Sequence, residues 1–340
     1  MKKRIVTVLL LASLALSGCG SNVPNAQSVP AASSASESVS EVISSADDVP
    51  APNAESVSED VLTEEDTERE PIVIEISDAD DPDSFPITMI ETDSVGIDLT
   101  GVEADEDYTW KLKITNKTDE DLAFILARAS LNGMMCTPVF DQAAGAGETV
   151  ETEIVWEKDL LEEQLLSADD IQYMEGLIFA TSGNYENDDY EDEMYQEFVV
   201  YTHGISDAAK ALPDISDAEE LVDTENIGAY VRDYRVDDDG NLVLSLYIEN
   251  RTEQNVVCAL DMPSVDGVIC DPYWAVEMTA GSGCCSSVIW SAEALKEAEI
   301  VLGDSLPQLD LPLLLFDTDD LGLDYLYSDT VSFSQKPEGN

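Results

Sequence analysis

Basic residues are scarce in this sequence. Lysine and arginine total 15 against 73 aspartate and glutamate residues, which gives a formal net charge of -58. Nucleic-acid binding needs clustered Lys or Arg to displace phosphate counterions, and the chain has no such cluster after its first few residues. The charge balance therefore excludes nucleic acid as a partner and predicts a solvated acidic exterior.

The sequence also has few of the groups that nucleophilic or zinc-dependent enzymes require. His203 is the only histidine, and neither Cys-x-x-Cys nor Gly-x-Ser-x-Gly occurs. A Ser-His-Asp or Cys-His mechanism needs an imidazole beside the nucleophile, and a structural zinc site needs four well-spaced ligands. We therefore predict no catalytic residues, no metal site and no cofactor.

Acidic residues leave two possibilities open. A glycan hydrolase needs only two carboxylates about 5 to 9.5 Å apart. Because this sequence contains so many acids, the presence of two carboxylates is not a specific sign of such an enzyme. Asp237–Asn241 resembles the start of a calcium loop, but Ile248 stands where the twelve-residue geometry requires Glu, so a turn is the simpler interpretation. The acidic clusters 188–193 and 317–320 leave loose calcium binding open.

The amino terminus carries a targeting pattern. Three basic residues precede an apolar stretch from Ile5 to Leu16, which is too short to span a bilayer. Residues 16–19 read Leu-Ser-Gly-Cys and resemble the lipobox of bacterial lipoprotein precursors. That resemblance implies a signal peptide over residues 1–18 and a lipid on Cys19. The lipid would hold the protein to the cell membrane on its extracytoplasmic face.

A polar segment follows the cysteine. Residues 19–84 are mostly Ser, Ala, Val, Pro, Asp and Glu, and this composition predicts a disordered acidic linker. The apolar stretch 71–76 inside it could add an edge strand to the following domain or pair with nothing. We expect the second.

The remainder of the chain is an internal repeat. The motif Ile114–Asp119 recurs as Ile248–Glu253, an offset of 134 positions. The same offset relates Gly133 to Gly267, Cys136 to Cys270, Pro138 to Pro272, Phe140 to Trp274, Gly147 to Gly281 and Trp156 to Trp290. We therefore predict two copies of one fold, over residues 85–204 and 212–335.

Each copy has the pattern of short strands joined by turns. Asn132-Gly133 and Asp266-Gly267 favour tight hairpin turns whose central residues have positive φ. The strand that ends at Trp156 alternates between apolar and acidic residues, which is typical of a half-buried strand. Short helical patterns follow at 159–166 and 292–300. About seven strands with intervening turns predict an antiparallel sandwich.

Two segments resemble a known type of module. Asn132–Phe140 and Asp266–Trp274, each followed by Ala-Gly and a strand, resemble the immunoglobulin-like modules of surface lipoproteins from Gram-positive bacteria. The resemblance covers roughly residues 86–335. It implies an all-β fold with two tandem immunoglobulin-like antiparallel β-sandwich domains after a disordered tether, and it implies no assigned activity.

The two Asn-x-Thr motifs and the cysteines have structural interpretations. Asn116 and Asn250 each follow a strand and start a turn, where an Asn side chain bonds its own backbone. Five cysteines remain besides the lipidated one, so complete internal pairing is impossible. We expect Cys284 to point inward and Cys285 outward, and a disulfide between Cys258 and Cys284 stays open.

Aromatic residues supply the candidate site. Trp156 and Trp290 occupy equivalent strand ends and are expected in the core. Phe140, Tyr273 and Trp274 follow a Cys-x-Pro segment and form our candidate contact patch, since exposed aromatics anchor interfaces.

Taken together, these patterns predict a lipid-anchored extracytoplasmic binding or adhesion module without catalytic activity. Its partner would be an extracellular or envelope protein or glycan. A carboxylate-dependent extracellular glycan hydrolase and a passive spacer in an envelope complex are the alternatives.

Overall fold

The computed structural model describes residues 71–79, 81–184, 189–204, 212–213, 215, 218–303, 305–318 and 325–334. The predicted signal peptide, Cys19 and most of the predicted linker lie outside these residues. Among the helices in the described part of the chain, none has the length and apolar composition of a membrane span.

The first copy of the repeat is built from strands in two sheets. Its strands are β1 (Ile72–Glu75), β2 (Ile87–Glu91), β3 (Val95–Ala104), β4 (Tyr108–Asn116), β5 (Leu122–Leu131), β6 (Met134–Met135), β7 (Asp141–Ala144), β8 (Thr149–Trp156), β9 (Tyr173–Asn184) and β10 (Asp189–Tyr201). One sheet has the antiparallel order β2-β3-β4-β8. The other has the order β7-β5-β9-β10-β1, in which β1 lies parallel to β10. Helix α1 (Lys158–Glu163) follows β8.

The second copy repeats this arrangement. Its strands are β11 (Glu219–Asp223), β12 (Ile227–Val236), β13 (Leu242–Asn250), β14 (Val256–Leu260), β15 (Ser264–Val265), β16 (Val268–Ile269), β17 (Ala275–Met278), β18 (Gly283–Trp290), β19 (Leu309–Asp317) and β20 (Tyr325–Phe333). One sheet has the order β11-β12-β13-β18, and β17, β14, β19 and β20 form the other. The hairpin β15–β16 pairs with β19, and helix α2 (Ala292–Glu297) follows β18.

The predicted all-β fold of two immunoglobulin-like sandwiches is confirmed. Strands β4 and β13, strands β8 and β18, and helices α1 and α2 start and end 134 positions apart, the offset found in the sequence. The hairpin turns also match, because Asn132 and Asp266 both have φ of 50° and a glycine with positive φ follows each. The repeated turn chemistry therefore sets the same register in both copies.

Each sandwich closes around its own hydrophobic core. Trp110 and Trp156 are completely buried in the first core, and Trp290 is completely buried in the second. The indole N–H of Trp156 donates to the carbonyl of Cys136 at 2.7 Å, and that of Trp290 donates to the carbonyl of Cys270 at 2.8 Å. These bonds allow a large ring to be buried without an unpaired donor, so the expected core role of both tryptophans is confirmed.

The expectation that residues 71–76 pair with nothing is wrong. Strand β1 runs parallel to the outer strand β10, from Ile72 opposite Phe198 to Glu75 opposite Tyr201. Ile74 and Ile76 are buried in the first core. Burial alternates along the segment, with Ile74 and Ile76 inside and Val73 and Glu75 exposed, so one face adds to the core while the backbone pairs with an open sheet edge.

The buried asparagines hold the turns that follow β4 and β13. Asn116 Nδ2 donates to the carbonyls of Glu120, Ala144 and Gly145 at 2.7, 3.0 and 3.0 Å. Its Oδ1 accepts the backbone N–H of Thr118 at 2.9 Å. In the second copy, Asn250 makes the matching bonds to Gln254, Thr279 and Thr252. The structural interpretation of both Asn-x-Thr motifs is confirmed.

Replacing Asn116 with alanine is expected to lower the free energy of unfolding by about 3 kcal/mol, because several bonds are lost and buried carbonyls stay unpaired. Urea denaturation followed by tryptophan fluorescence measures the change. Asp119→Ala is the control in the same turn, since Asp119 is exposed, and it should stay within about 0.5 kcal/mol of the parent chain. Equal effects of the two substitutions would contradict the structural role of Asn116.

Candidate functional site

The two sandwiches share a sheet at one point. Strand β6 of the first copy lies parallel to the outer strand β18 of the second, with Met134 opposite Gly283. The backbone N–H of Gly283 donates to the carbonyl of Gly133 at 2.8 Å. A Cβ at position 283 would lie 2.9 Å from Tyr247 Oη and 3.0 Å from Met134 Sδ. A side chain at position 283 would therefore force Tyr247 or Met134 to shift.

Side chains of the first copy complete the contact. The buried amide of Gln164 donates to the carbonyl of Cys285 at 2.8 Å and accepts its backbone N–H at 2.8 Å. Met134, Tyr247 and Cys285 form a small buried cluster of their own. Cys285 points away from the second core, as expected, yet it is buried, because the first copy covers the outer face of β18.

An ion pair and an apolar contact lie beside this strand pair. Arg128 Nη1 lies 3.1 Å from Glu277 Oε1 of the second copy, and Arg128 also pairs with Glu197 of the first. Met135 is buried as a member of the second copy's core. Three residues near the hairpin of the first copy, Arg128, Met134 and Met135, thus contact the second sandwich.

The candidate contact patch is divided by the structure. Phe140 and Trp274 are buried in the first and second core, whereas the Tyr273 side chain is 87% exposed. Trp274 Nε1 donates to Ser286 Oγ at 3.0 Å, which ties this ring to β18. The expectation that Phe140 and Trp274 are partly exposed is wrong, since both rings fill the gap between the sheets. Tyr273 remains as the accessible member.

Tyr273 is held outward by its own loop. Its backbone has a φ of 52°, a conformation that costs free energy for a non-glycine residue. Its N–H donates to Asp271 Oδ1 at 2.8 Å, which stabilises the turn. The equivalent residue in the first copy, Val139, is fully exposed. Each copy therefore presents an apolar side chain to solvent at the same loop position.

Three further exposed apolar residues lie in the same connection of the chain, and their exposure was not predicted from the sequence. Met262, Val268 and Ile269 are 58%, 43% and 63% exposed. We name residues 261–274 the exposed hairpin; it contains strands β15 and β16 and connects β14 to β17. The sequence carries a signal for them, because Val268 and Ile269 are two consecutive apolar residues directly after a tight turn.

The candidate calcium sites have different outcomes. Asp237 accepts the backbone N–H groups of Asp239 and Asn241 at 3.0 and 2.8 Å, which confirms the turn. Hydrogen bonds from Asn241 hold the pKa of Asp237 below its usual value. Within the described residues, no group of three His, Cys, Asp or Glu side chains is arranged to hold a metal ion. The side chains of the cluster 188–193 and residues 319–320 lie outside that part.

The cysteines in the described part of the chain are free and buried: Cys136, Cys258, Cys270, Cys284 and Cys285. The open possibility of a Cys258–Cys284 disulfide is therefore not realised in this structure. Burial raises the pKa of the Cys258 thiol to about 12 and that of Cys285 to about 11. Thiols with such pKa values are almost entirely protonated at neutral pH and are poor nucleophiles.

Comparisons with known proteins give distant similarities only. The chain matches no protein-family model and no curated protein. It is similar to the exo-chitosanase CsxA of Amycolatopsis orientalis at 12% identity and a TM-score of 0.22, over 69% of this chain and 26% of that one. It is also similar to red sea bream transglutaminase at 10% identity and a TM-score of 0.18, over 73% of this chain and 32% of that one.

A third similar structure is a protein of unknown function from Porphyromonas gingivalis W83, at 10% identity and a TM-score of 0.19. The similarity covers 70% of this chain and 97% of that one. By contrast, this chain spans about a quarter of the exo-chitosanase and about a third of the transglutaminase. At such low TM-scores, the activities of the two enzymes do not transfer to this chain.

The shared sheet can be tested at its closest point. Gly283→Ala is expected to lower the free energy of unfolding by about 1 to 3 kcal/mol, because the added methyl group collides with Tyr247 and Met134. Differential scanning calorimetry measures the change. The control is Thr149→Ala at the equivalent position of β8, which should shift stability by less than about 1 kcal/mol, since it removes only an exposed hydroxyl contact with Thr115. A Gly283→Ala chain as stable as the control would contradict the close contact.

Proposed function

We propose that the protein is a lipid-anchored extracytoplasmic module that binds an extracellular or envelope partner and has no catalytic activity. The observation that carries this proposal is the exposed hairpin. There, Met262, Val268, Ile269 and Tyr273 present apolar surface to solvent.

The geometry of this surface favours recognition. Loops that carry function are positioned by a rigid scaffold, and here the hairpin follows and precedes strands of one sheet. Backbone bonds from Cys270 to Pro263 at 3.0 Å and from Leu260 to Trp274 at 3.2 Å close its base. A partner would therefore meet apolar side chains that are already ordered, which reduces the entropy lost on binding.

Charge limits the chemistry of the partner. The formal net charge of -58 repels anionic wall polymers and anionic lipid headgroups, so a neutral or basic protein surface fits better. The lipid on Cys19 would supply membrane attachment without any such charge contact.

Replacing Cys19 with serine is expected to release the protein into the medium, because the acylated sulfur is removed while export continues. Immunoblots of membrane and medium fractions measure the distribution. The matched control is Cys270→Ser, which leaves the acylated position intact and should stay in the membrane fraction. Retention of the Cys19→Ser chain in the membrane would contradict the anchor.

Replacing Tyr273 with serine is expected to weaken capture of envelope proteins by the immobilised Cys19→Ser chain about tenfold or more, which corresponds to about 1.4 kcal/mol. Titration with detergent-solubilised envelope extract measures the apparent affinity. Tyr325→Ser is the control, since Tyr325 is also exposed but lies on β20, and it should leave binding unchanged. Equal binding by both variants would remove Tyr273 from the site.

A further inference from the structure

The residues that join the two copies have counterparts in the second copy. Arg128, Met134 and Met135 contact the second sandwich, and 134 positions later the chain has Met262, Val268 and Ile269. These three counterparts are among the exposed apolar residues of the hairpin. The second copy thus presents to solvent the positions that the first copy uses for docking.

The backbone of the two hairpins is also the same. Asn132 and Gly133 have φ of 50° and 86°, and Asp266 and Gly267 have φ of 50° and 78°. Strand β6 adds in parallel to β18, whereas β16 pairs with β15 and has no strand on its other edge among the described residues. An unpaired edge of this kind can form main-chain hydrogen bonds with an added strand.

We propose that Met262, Val268 and Ile269 dock on the edge strand of an immunoglobulin-like module in another protein, as the first-copy hairpin docks on β18. This inference rests on the proposed function, since it names the class of partner for the same surface.

The acceptor within this chain defines the chemistry of that partner. Gly283 lets the hairpin backbone approach, and Tyr247 and Cys285 supply a buried apolar face on the neighbouring and the same strand. The partner module is therefore expected to have glycine at the start of its edge strand and uncharged side chains on the outer face of that sheet.

The first copy of a second molecule does not fit this description. Its exposed edge strand β8 has Thr149 and Glu151 at the positions of Gly283 and Cys285, and Lys113 stands at the position of Tyr247. Docking there would bury two charges and force a Cβ against the hairpin. The occupant is thus a different protein and not a second copy of this chain.

The rim of the exposed hairpin adds a charge requirement. Asp261, Asp266 and Asp271 lie within two positions of the apolar residues in the sequence, where the first copy has the uncharged Ala127, Asn132 and Thr137. A partner with Lys or Arg around its edge strand would complement these acids, which favours encounter and correct orientation.

The test rebuilds the acceptor on the first copy of the full Cys19→Ser chain. Lys113→Tyr, Thr149→Gly and Glu151→Ala together are expected to make the chain self-associate, because donor and acceptor now lie on one molecule. Sedimentation velocity measures the size at about 0.15 M and about 1 M salt, since high salt screens like-charge repulsion. A head-to-tail contact leaves a free donor at one end and a free acceptor at the other, so rings or open chains larger than dimers should form as the concentration rises.

Ile269→Asp in the rebuilt chain is expected to return it to the monomer, and the parent chain should be monomeric throughout. Thermal unfolding followed by circular dichroism identifies a folded rebuilt chain before sedimentation. A folded rebuilt chain that stays monomeric up to about 1 mM, an association weaker than about 4 kcal/mol, overturns the docking mode. Self-association of the parent chain that Ile269→Asp abolishes also overturns it, because the occupant would then be a second copy.

The outcomes separate this inference from the proposed function. Sedimentation contains no envelope component, and the Tyr273→Ser titration contains no rebuilt acceptor. Envelope binding without assembly of the rebuilt chain overturns the docking mode alone. Assembly without any envelope binding supports the docking mode and counts against the proposed function.

Discussion

The backbone bond from Gly283 to Gly133 lies where the outer strand of the second sandwich would otherwise expose unpaired amide groups. Edge strands are prone to pairing with other chains, and the first copy covers this one with a short parallel strand. The amide of Gln164 continues the cover, because it pairs with both the N–H and the carbonyl of Cys285. A methyl group at position 283 would force Tyr247 or Met134 to move, so the close approach of the two sandwiches here depends in part on a side chain that is absent.

Duplication gave two hairpins with the same backbone and different surroundings. In the first copy, Arg128 pairs with Glu277 and Met134 packs on the second sandwich, so this hairpin is used inside the chain. In the second copy, Met262 and Val268 occupy the equivalent positions and meet solvent. The second copy thus has methionine where the first has an ion-pairing arginine. This difference is informative, because an exposed arginine, even without a partner acid, would favour solubility more than an exposed methionine does.

The fold could be predicted from the sequence because its signals are local. The signals of the Asn-Gly and Asp-Gly turns and of the alternation before Trp156 each lie within about ten residues of chain. The constant offset between the copies is visible by direct repetition. No turn in the sequence indicates the pairing of the parallel strand β1, since a parallel partner can lie far away in the sequence. For this reason its pairing with β10 was not predicted.

The candidate site was harder to predict. The alternation of side chains along a strand shows which face of the strand a residue lies on, but not what covers that face. Cys285 was correctly placed opposite Cys284 on the strand, yet its outer face is covered by the first sandwich. Phe140 and Trp274 follow equivalent Cys-x-Pro segments, as Tyr273 does, but both are buried, since each ring packs into the core of its own copy. The exposed residues became visible only when the two copies could be compared in space.

The acidic exterior explains how an apolar hairpin can stay exposed. A large negative charge keeps copies of the chain apart over about the Debye length, roughly 8 Å at physiological ionic strength, so weak apolar contacts between them do not accumulate. Asp261 and Asp266 lie close to the apolar residues in the sequence and would be repelled by the acidic surface of a second copy. A basic partner experiences the opposite field. The same charges disfavour self-association, and they would favour basic over acidic surfaces as partners for Val268 and Ile269.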